Sequence, residues 1–380
     1  MRVLILSCNT GGGHNSAAKA IQEVLNTRND QAQMKDTLAF TSKAFSNIIC
    51  DTYVGLVKHT PKLFGLLYNS NKKITYDKKV HSVSYQGNVV GSKKIAEYIK
   101  DEKIDAVICT HFMAAQALNH LVKHKKVSVP FFFVATDYSI TPMLEEAPLV
   151  SKIFCPHFDS VYTYLNKGIP EDKLICTGIP VSKVFLEPKD REGARKKFGI
   201  GADEKAILVM TGSMGFGDSQ IIVQQLLKRS DEKTRVVLIC GNNKKLYEKV
   251  QKTLGNDKRL ILVGFTNEVS AYMDACDIIL TKPGGLSSTE ALVKGIPIVH
   301  TSPIPGCETE NADFFMGHHF SLCAHTTMEV VEESLRLLRD DFLRKQIIEA
   351  QKHFRLDYSA QKIVYCVHEY LVDNGYITKE

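Results

Sequence analysis

Lys282-Pro283-Gly284-Gly285-Leu286-Ser287-Ser288-Thr289-Glu290 follows an apolar run at 277–281 and reads as the opening of a helix. Free N–H groups at a helix N-terminus favour an anion, and glycines let a phosphate approach the backbone. Ser287 and Ser288 can donate to a diphosphate. Glu290, one turn in, can accept two ribose hydroxyls. The plainer reading is a capping box, because Ser287 and Glu290 have its three-residue spacing. Pro305-Gly306-Cys307-Glu308-Thr309-Glu310-Asn311 also follows an apolar run. Glu308 and Asn311 share a helix face, and a carboxylate beside an amide suits vicinal sugar hydroxyls. A helix start with solvated polar residues explains the same spacing. Gly212-Ser213-Met214-Gly215 is a third loop of this kind, equally explained as a tight strand–helix turn. Phe265, after the run at 259–263, suits base stacking or a core.

Near the N-terminus, Gly11-Gly12-Gly13-His14 follows the apolar run at 2–8. It is not a P-loop, since GK[ST] is missing. A histidine at such a turn can hydrogen-bond an acceptor or take its proton; a structural role is the alternative. Asp137 follows the run PFFFVAT at 130–136 and is a second candidate general base, with an N-cap as its bland reading. His157, after Cys155-Pro156, suits a polar lining.

These residues all stand after apolar runs that alternate with helical periodicity. Runs at 2–8, 105–110, 130–136, 152–155 and 174–177 form one series. Ala17, Ala20, Ile21, Val24 and Leu25 line one face of the intervening first helix. A second series has runs at 206–211, 235–240, 259–263, 277–281, 297–300 and 320–323, and residues 340–373 read as helical. Strand–helix alternation predicts mainly parallel sheets, hence an α/β chain of two doubly wound halves. The boundary falls after Thr177-Gly178-Ile179-Pro180-Val181. The expected domains are 1–184, 185–353 and a C-terminal helix over 354–380. Ligands of such sheets bind at the carboxyl ends of the strands.

Composition narrows the class. The 44% hydrophobic and 24% charged content of the 380 residues is that of a globular protein and excludes a disordered or collagenous one. No apolar run is long enough for a spanning helix, and the first residues lack a signal-peptide pattern. Ten cysteines without a CxxC pair fit reduced thiols in a cytosol and argue against a zinc ribbon. The net charge of +6 is concentrated in residues 38–95, where nine lysines stand against Asp51 and Asp77. Lys72, Lys73, Lys78 and Lys79 are interleaved there with Phe64, Leu67 and other large apolar side chains. Each lysine near an anionic membrane surface contributes about 1 kcal/mol, while apolar groups enter the acyl boundary. A solvated basic face over a buried helix is the alternative. Nucleic acid is not expected, because no nucleic-acid motif is present.

Taken together, the motifs resemble the glycolipid-forming glycosyltransferases that comprise the monogalactosyldiacylglycerol synthases and the processive diacylglycerol β-glucosyltransferases. The resemblance is carried by Gly11-Gly12-Gly13-His14, Thr136-Asp137-Tyr138, Pro156-His157 and Gly178-Ile179-Pro180-Val181. It continues through Thr281-Lys282-Pro283-Gly284-Gly285 with Glu290-Ala291, and Pro305-Gly306-Cys307-Glu308 with Glu310-Asn311-Ala312. The peptidoglycan lipid-intermediate N-acetylglucosaminyltransferase is similar in its donor half. The resemblance implies a GT-B fold, with two Rossmann-like domains facing across a cleft and the last helix packing back on the first domain. It implies an inverting, metal-independent transfer of a hexose from UDP-glucose or UDP-galactose to diacylglycerol or a glycosyldiacylglycerol, peripheral on the cytoplasmic face of the cell membrane. No cofactor is expected, the UDP-sugar being a substrate.

By that resemblance Gly212, Ser213, Ser287, Ser288, Gly284 and Gly285 hold the diphosphate, and Glu290 the ribose. Phe265 lies near the base, and Pro305, Gly306, Glu308 and Asn311 near the sugar. His14 and Asp137 stand at the reaction centre, with Gly12 and Gly13 beside the acceptor. The sequence departs from the family at two places. Ser139-Ile140-Thr141-Pro142-Met143 lacks the His and Trp common after Thr136-Asp137-Tyr138, and Cys307 replaces the Gln of Pro-Gly-Gln-Glu. A UDP-sugar epimerase or hydrolase, a UDP-GlcNAc-dependent transferase and a non-catalytic UDP-sugar sensor are the alternatives on the same architecture.

Overall fold

The computed structural model describes residues 1–9, 12–41, 65, 83–210, 218–301 and 303–378. The chain forms two compact units. One comprises Met1–Lys183, Pro305–Cys307 and Tyr358–Glu380, the other Val184–Ile304 and Glu308–Asp357.

The first unit holds six parallel strands: β1 (Arg2–Ser7), β2 (Gln31–Asp36), β3 (Ala106–Cys109), β4 (Phe131–Val134), β5 (Lys152–Cys155) and β6 (Leu174–Cys176). Their order is β2-β1-β3-β4-β5-β6, so the winding reverses between β1 and β3. The central strands are apolar on both faces because helices cover both sides. Leu4, Leu6, Val107, Phe131 and Phe133 pack on one side with Ala114 and Leu118 of helix Phe112–Lys123. Val3, Ile5, Ile108, Phe132 and Phe154 pack on the other with Ile21 and Leu25 of helix Gly12–Thr27. We call these helices α1 (Gly12–Thr27) and α2 (Phe112–Lys123), and the helix after β5 α3 (Phe158–Asn166). The sequence reading passed over β2. Its residues, QAQMKD, form a half-buried edge strand, and an edge strand needs no apolar run.

The second unit repeats the plan with β7 (Lys205–Met210), β8 (Thr234–Ile239), β9 (Leu260–Val263), β10 (Ile278–Thr281), β11 (Ile298–Thr301) and β12 (Ser321–Ala324). Their order is β12-β11-β10-β7-β8-β9, reversing between β7 and β10. Two further helices matter for the site, α4 (Gly285–Lys294) after β10 and α5 (Cys307–Gly317) after β11.

The helical stretch expected over 340–373 is two helices, Asp341–Phe354 and Ser359–Asp373, the latter called α6. The first ends at Arg355, whose ψ of 121° leaves the helical region, and Tyr358, with φ +63°, is the N-cap of α6. α6 belongs to the first unit. Ile363, Val364, Val367 and Leu371 form its buried stripe and join the cluster of Val3, Ile5 and Phe132. Leu371 is fully buried, so Leu371→Ala should cost about 2–5 kcal/mol through lost burial and the cavity left behind. Urea titration measures this; a loss well under about 1 kcal/mol would show that α6 is no part of that core.

Candidate active site

Both sheets reverse their winding beside the residues singled out in the sequence, and such switch points are where open α/β sheets bind ligands. In the first unit the flanking loops follow β1, β3 and β4. His14 lies in the first turn of α1, after the exposed Gly12 and half-buried Gly13. Its Nδ1 is 2.8 Å from the Thr110 carbonyl oxygen and 2.9 Å from Thr136 Oγ1. A carbonyl only accepts, so Nδ1 carries the hydrogen, an assignment that rests on that partner. The neutral ring then keeps its basic lone pair on Nε2. Loss of solvation lowers the His14 pKa below its usual 6.5, opposed by the negative charge of Asp137 and by the bond to Thr110. The tertiary structure therefore brings His14 and Asp137 into electrostatic reach, across 122 intervening residues.

In the second unit α4 opens at the switch point. Gly284 is its N-cap and makes no side-chain cap bond, and the first intrahelical bond runs from Ser288 N to the Gly284 carbonyl. The N–H groups of Gly285, Leu286 and Ser287 thus have no intrahelical partner, which is the anion-binding arrangement. The capping box between Ser287 and Glu290 does not form, because the helix starts earlier than that reading needs. Glu290 is partly buried, and burial pushes its carboxyl pKa up to about 8. Phe265 stands after β9 and is 67% exposed, so the core fate is excluded.

Two expected ligand groups point inward instead. Ser288 is fully buried, with Oγ 2.9 Å from His300 Nε2, while Ser321 Oγ lies 3.1 Å from His300 Nδ1. A helix shows one face to the core, and a start at Gly285 turns Ser288 to that face and leaves Ser287 half-buried. Ser288 therefore does not present its hydroxyl to a diphosphate. Asn311 is likewise fully buried, and its Nδ2 donates to the Pro283 carbonyl at 3.0 Å. It ties α5 to the loop before α4 rather than offering that amide group to a sugar. Glu308 is half-buried, and its Oε2 accepts the Ile304 N–H at 2.9 Å. Gly306, with φ +118°, makes the turn after half-buried Pro305 into α5.

The buried Ser288–His300–Ser321 chain has a pH consequence. Burial draws His300 down to about 3. Protonation therefore favours the unfolded chain, whose histidine titrates near 6.5. Stability should be full above pH 6.5 and should fall as the pH drops from there toward 3. Denaturant titrations at pH 7, 5 and 4 measure it, and His300→Gln should flatten part of that slope.

Gly212, Ser213, Phe64, Leu67, Lys72, Lys73, Lys78 and Lys79 lie outside the described residues. No helix among the described residues is long and apolar enough to cross a membrane.

Residues 14–181 match the family model for monogalactosyldiacylglycerol (MGDG) synthase, and residues 192–354 match that for glycosyl transferases group 1. The chain has the GT-B fold. It is 26% identical over 367 residues to the processive diacylglycerol beta-glucosyltransferase of Staphylococcus carnosus, covering 95% of this chain and 91% of that protein. Among solved structures it resembles Acinetobacter baumannii MurG, with a TM-score of 0.61 at 16% identity over 97% of this chain and 99% of that one. It also resembles S. aureus MnaA in its UDP complex, with a TM-score of 0.67 at 15% identity over 100% and 98%.

Two residues of this glycosyltransferase were missed in the sequence. His111 follows β3, is buried, and packs its ring edge-on against His14 at 4.7 Å between centroids. Its signal was the one used for Asp137, a polar residue directly after an apolar run. Lys282 precedes α4, and loss of solvation draws its ammonium below the ordinary lysine range against the pull of Glu308. It was quoted within its motif but given no role, though a cation there adds to the field of the α4 N-terminus.

Proposed function

We propose that this chain transfers a hexose from a UDP-sugar to diacylglycerol or a glycosyldiacylglycerol, with inversion, at an anionic membrane surface. The observation that carries the reading is the geometry of His14, whose Nδ1 is committed to a carbonyl so that Nε2 is left to take a proton. In the reading, Nε2 removes the proton of the lipid hydroxyl. The oxygen attacks the anomeric carbon from the face opposite UDP, so an α-linked donor gives a β-glycoside. Asp137 stabilises the imidazolium formed.

The departing diphosphate gains negative charge. The N–H groups of Gly285, Leu286 and Ser287 and the ammonium of Lys282 meet that charge, so the reading calls for no metal. Glu290 accepts the ribose hydroxyls, and Phe265 offers an exposed ring to the base. The family match of residues 14–181 and the S. carnosus relative support the lipid acceptor. The UDP-complexed neighbour supports the nucleotide.

The test is UDP release from UDP-glucose and UDP-galactose, with and without vesicles of diacylglycerol and an anionic phospholipid. Turnover that requires the diacylglycerol, with a β-glycoside found by linkage NMR, is expected. Lipid-independent turnover would replace the reading with an epimerase or hydrolase. Vesicle co-sedimentation should weaken as salt rises, because exposed charges are screened beyond about 8–10 Å.

A further inference from the structure

We infer that His111 is a positioning residue for His14: the Thr110–His111 turn supplies both the acceptor that orients the His14 ring and the aromatic wall that keeps water off it. The inference rests on the reading of His14 as the base.

Three contacts converge on this turn. The Thr110 carbonyl holds His14 Nδ1 at 2.8 Å. The next residue, His111, is the N-cap of α2, and its own Nδ1 accepts the Met113 N–H at 3.3 Å. Its ring then stands perpendicular to that of His14, at an interplanar angle of 88°. The cap bond holds the start of α2, and the His111 ring stands as a wall beside the base. Phe112 packs against His111, its centroid 4.5 Å away at an interplanar angle of 32°.

The tautomers are complementary. His14 Nδ1 donates and His111 Nδ1 accepts, so each ring is locked at Nδ1 by a backbone partner in the opposite role. The charged group that acts on His14 is Asp137, on the β4 loop, and His14 in turn acts on His111, on the β3–α2 turn. Asp137 favours the imidazolium of His14. His111 is 7% exposed, and burial followed by the nearness of His14 pushes its proton affinity well down. Two imidazoles in contact do not both become imidazolium. A proton taken from a substrate by His14 thus stays on His14, and His111 remains a neutral wall.

The experiment is a ¹⁵N NMR titration of the histidine rings, run beside the pH profile of lipid-dependent turnover. In the parent protein His14 should show the Nδ1–H tautomer and titrate below 6.5. His111→Asn keeps a good N-cap but removes the ring. It should move the His14 titration up by about half a pH unit or more as water reaches the ring. The acid limb of turnover should follow, and plateau turnover should fall about tenfold, with the KM for UDP-hexose unchanged. His111→Phe keeps the wall and loses the cap. It should lower the Tm while leaving the His14 titration within about 0.2 units of the parent. Equal His14 titrations in the parent and His111→Asn overturn the inference, as does a mixed-tautomer His14 in the parent. The NMR readout needs no turnover, so absence of transferase activity would sink the proposed function and leave this inference still decided by the titration.

Discussion

Alanine at His14 should lower lipid-dependent turnover by about 10²–10⁴-fold, the usual contribution of a positioned general base. The affinity for UDP-hexose should be spared, because the nucleotide-binding groups of the proposal come from loops around β9, β10 and β11. Asp137→Asn should lose a comparable factor for a different reason. It keeps the shape and removes the charge that opposes desolvation of the imidazolium. The pH profile adds a sign. His14 titrates below 6.5 in the folded protein, so at pH 7 it is already the neutral base. Turnover should be flat above pH 7 on this limb and decline as the pH falls below 6.5. In Asp137→Asn the decline should begin at still lower pH, since burial is then opposed by the Thr110 bond without the carboxylate. Near-parent rates in both variants would sink the base assignment.

Replacement of Glu290 should weaken UDP-hexose binding by about 10–100-fold or more, since hydrogen bonds to a charged group contribute about 1.5–3 kcal/mol each. The expected pH behaviour has the same sign as that of turnover through His14 but lies in a higher pH window. Without ligand the carboxyl titrates at about 8, raised by burial. Ribose hydroxyls donate to the carboxylate, so binding favours its ionised form and lowers that value. Affinity should therefore rise with pH through neutrality and level off above about 8. Binding at pH 7 should release a proton. Calorimetry of UDP-hexose in two buffers of different ionisation enthalpy reads the release directly, and Glu290→Gln should abolish it. UDP-hexose is the correct probe, because its diphosphate has no titration near neutrality. An affinity flat from pH 6 to pH 8.5, with no proton release, would remove Glu290 from the nucleotide site.

The linear chain already contained the plan of two wound sheets. Buried parallel strands must be apolar on both faces, so LILS in β1, FFFV in β4 and AILVM in β7 were visible as runs. Glycine-rich turns and polar residues placed directly after such runs marked His14, Asp137 and the α4 opening. The half-polar β2 left no such mark, since an edge strand is defined by its neighbour rather than by its own composition.

Which polar groups face a ligand was a question for the tertiary structure. Ser287 and Ser288 are indistinguishable as residues. The helix register, set by a start at Gly285, sends Ser288 inward to His300. Asn311 had the right chemistry for a sugar and is spent on the Pro283 carbonyl. His111 lacked a motif of its own and gains its role from a ring 97 positions away in the chain. Residue types and local spacing thus determined the strands, the turns and the menu of possible chemistry. Long-range packing decided the rest, because burial, tautomer and proton affinity depend on what stands within a few ångströms in space.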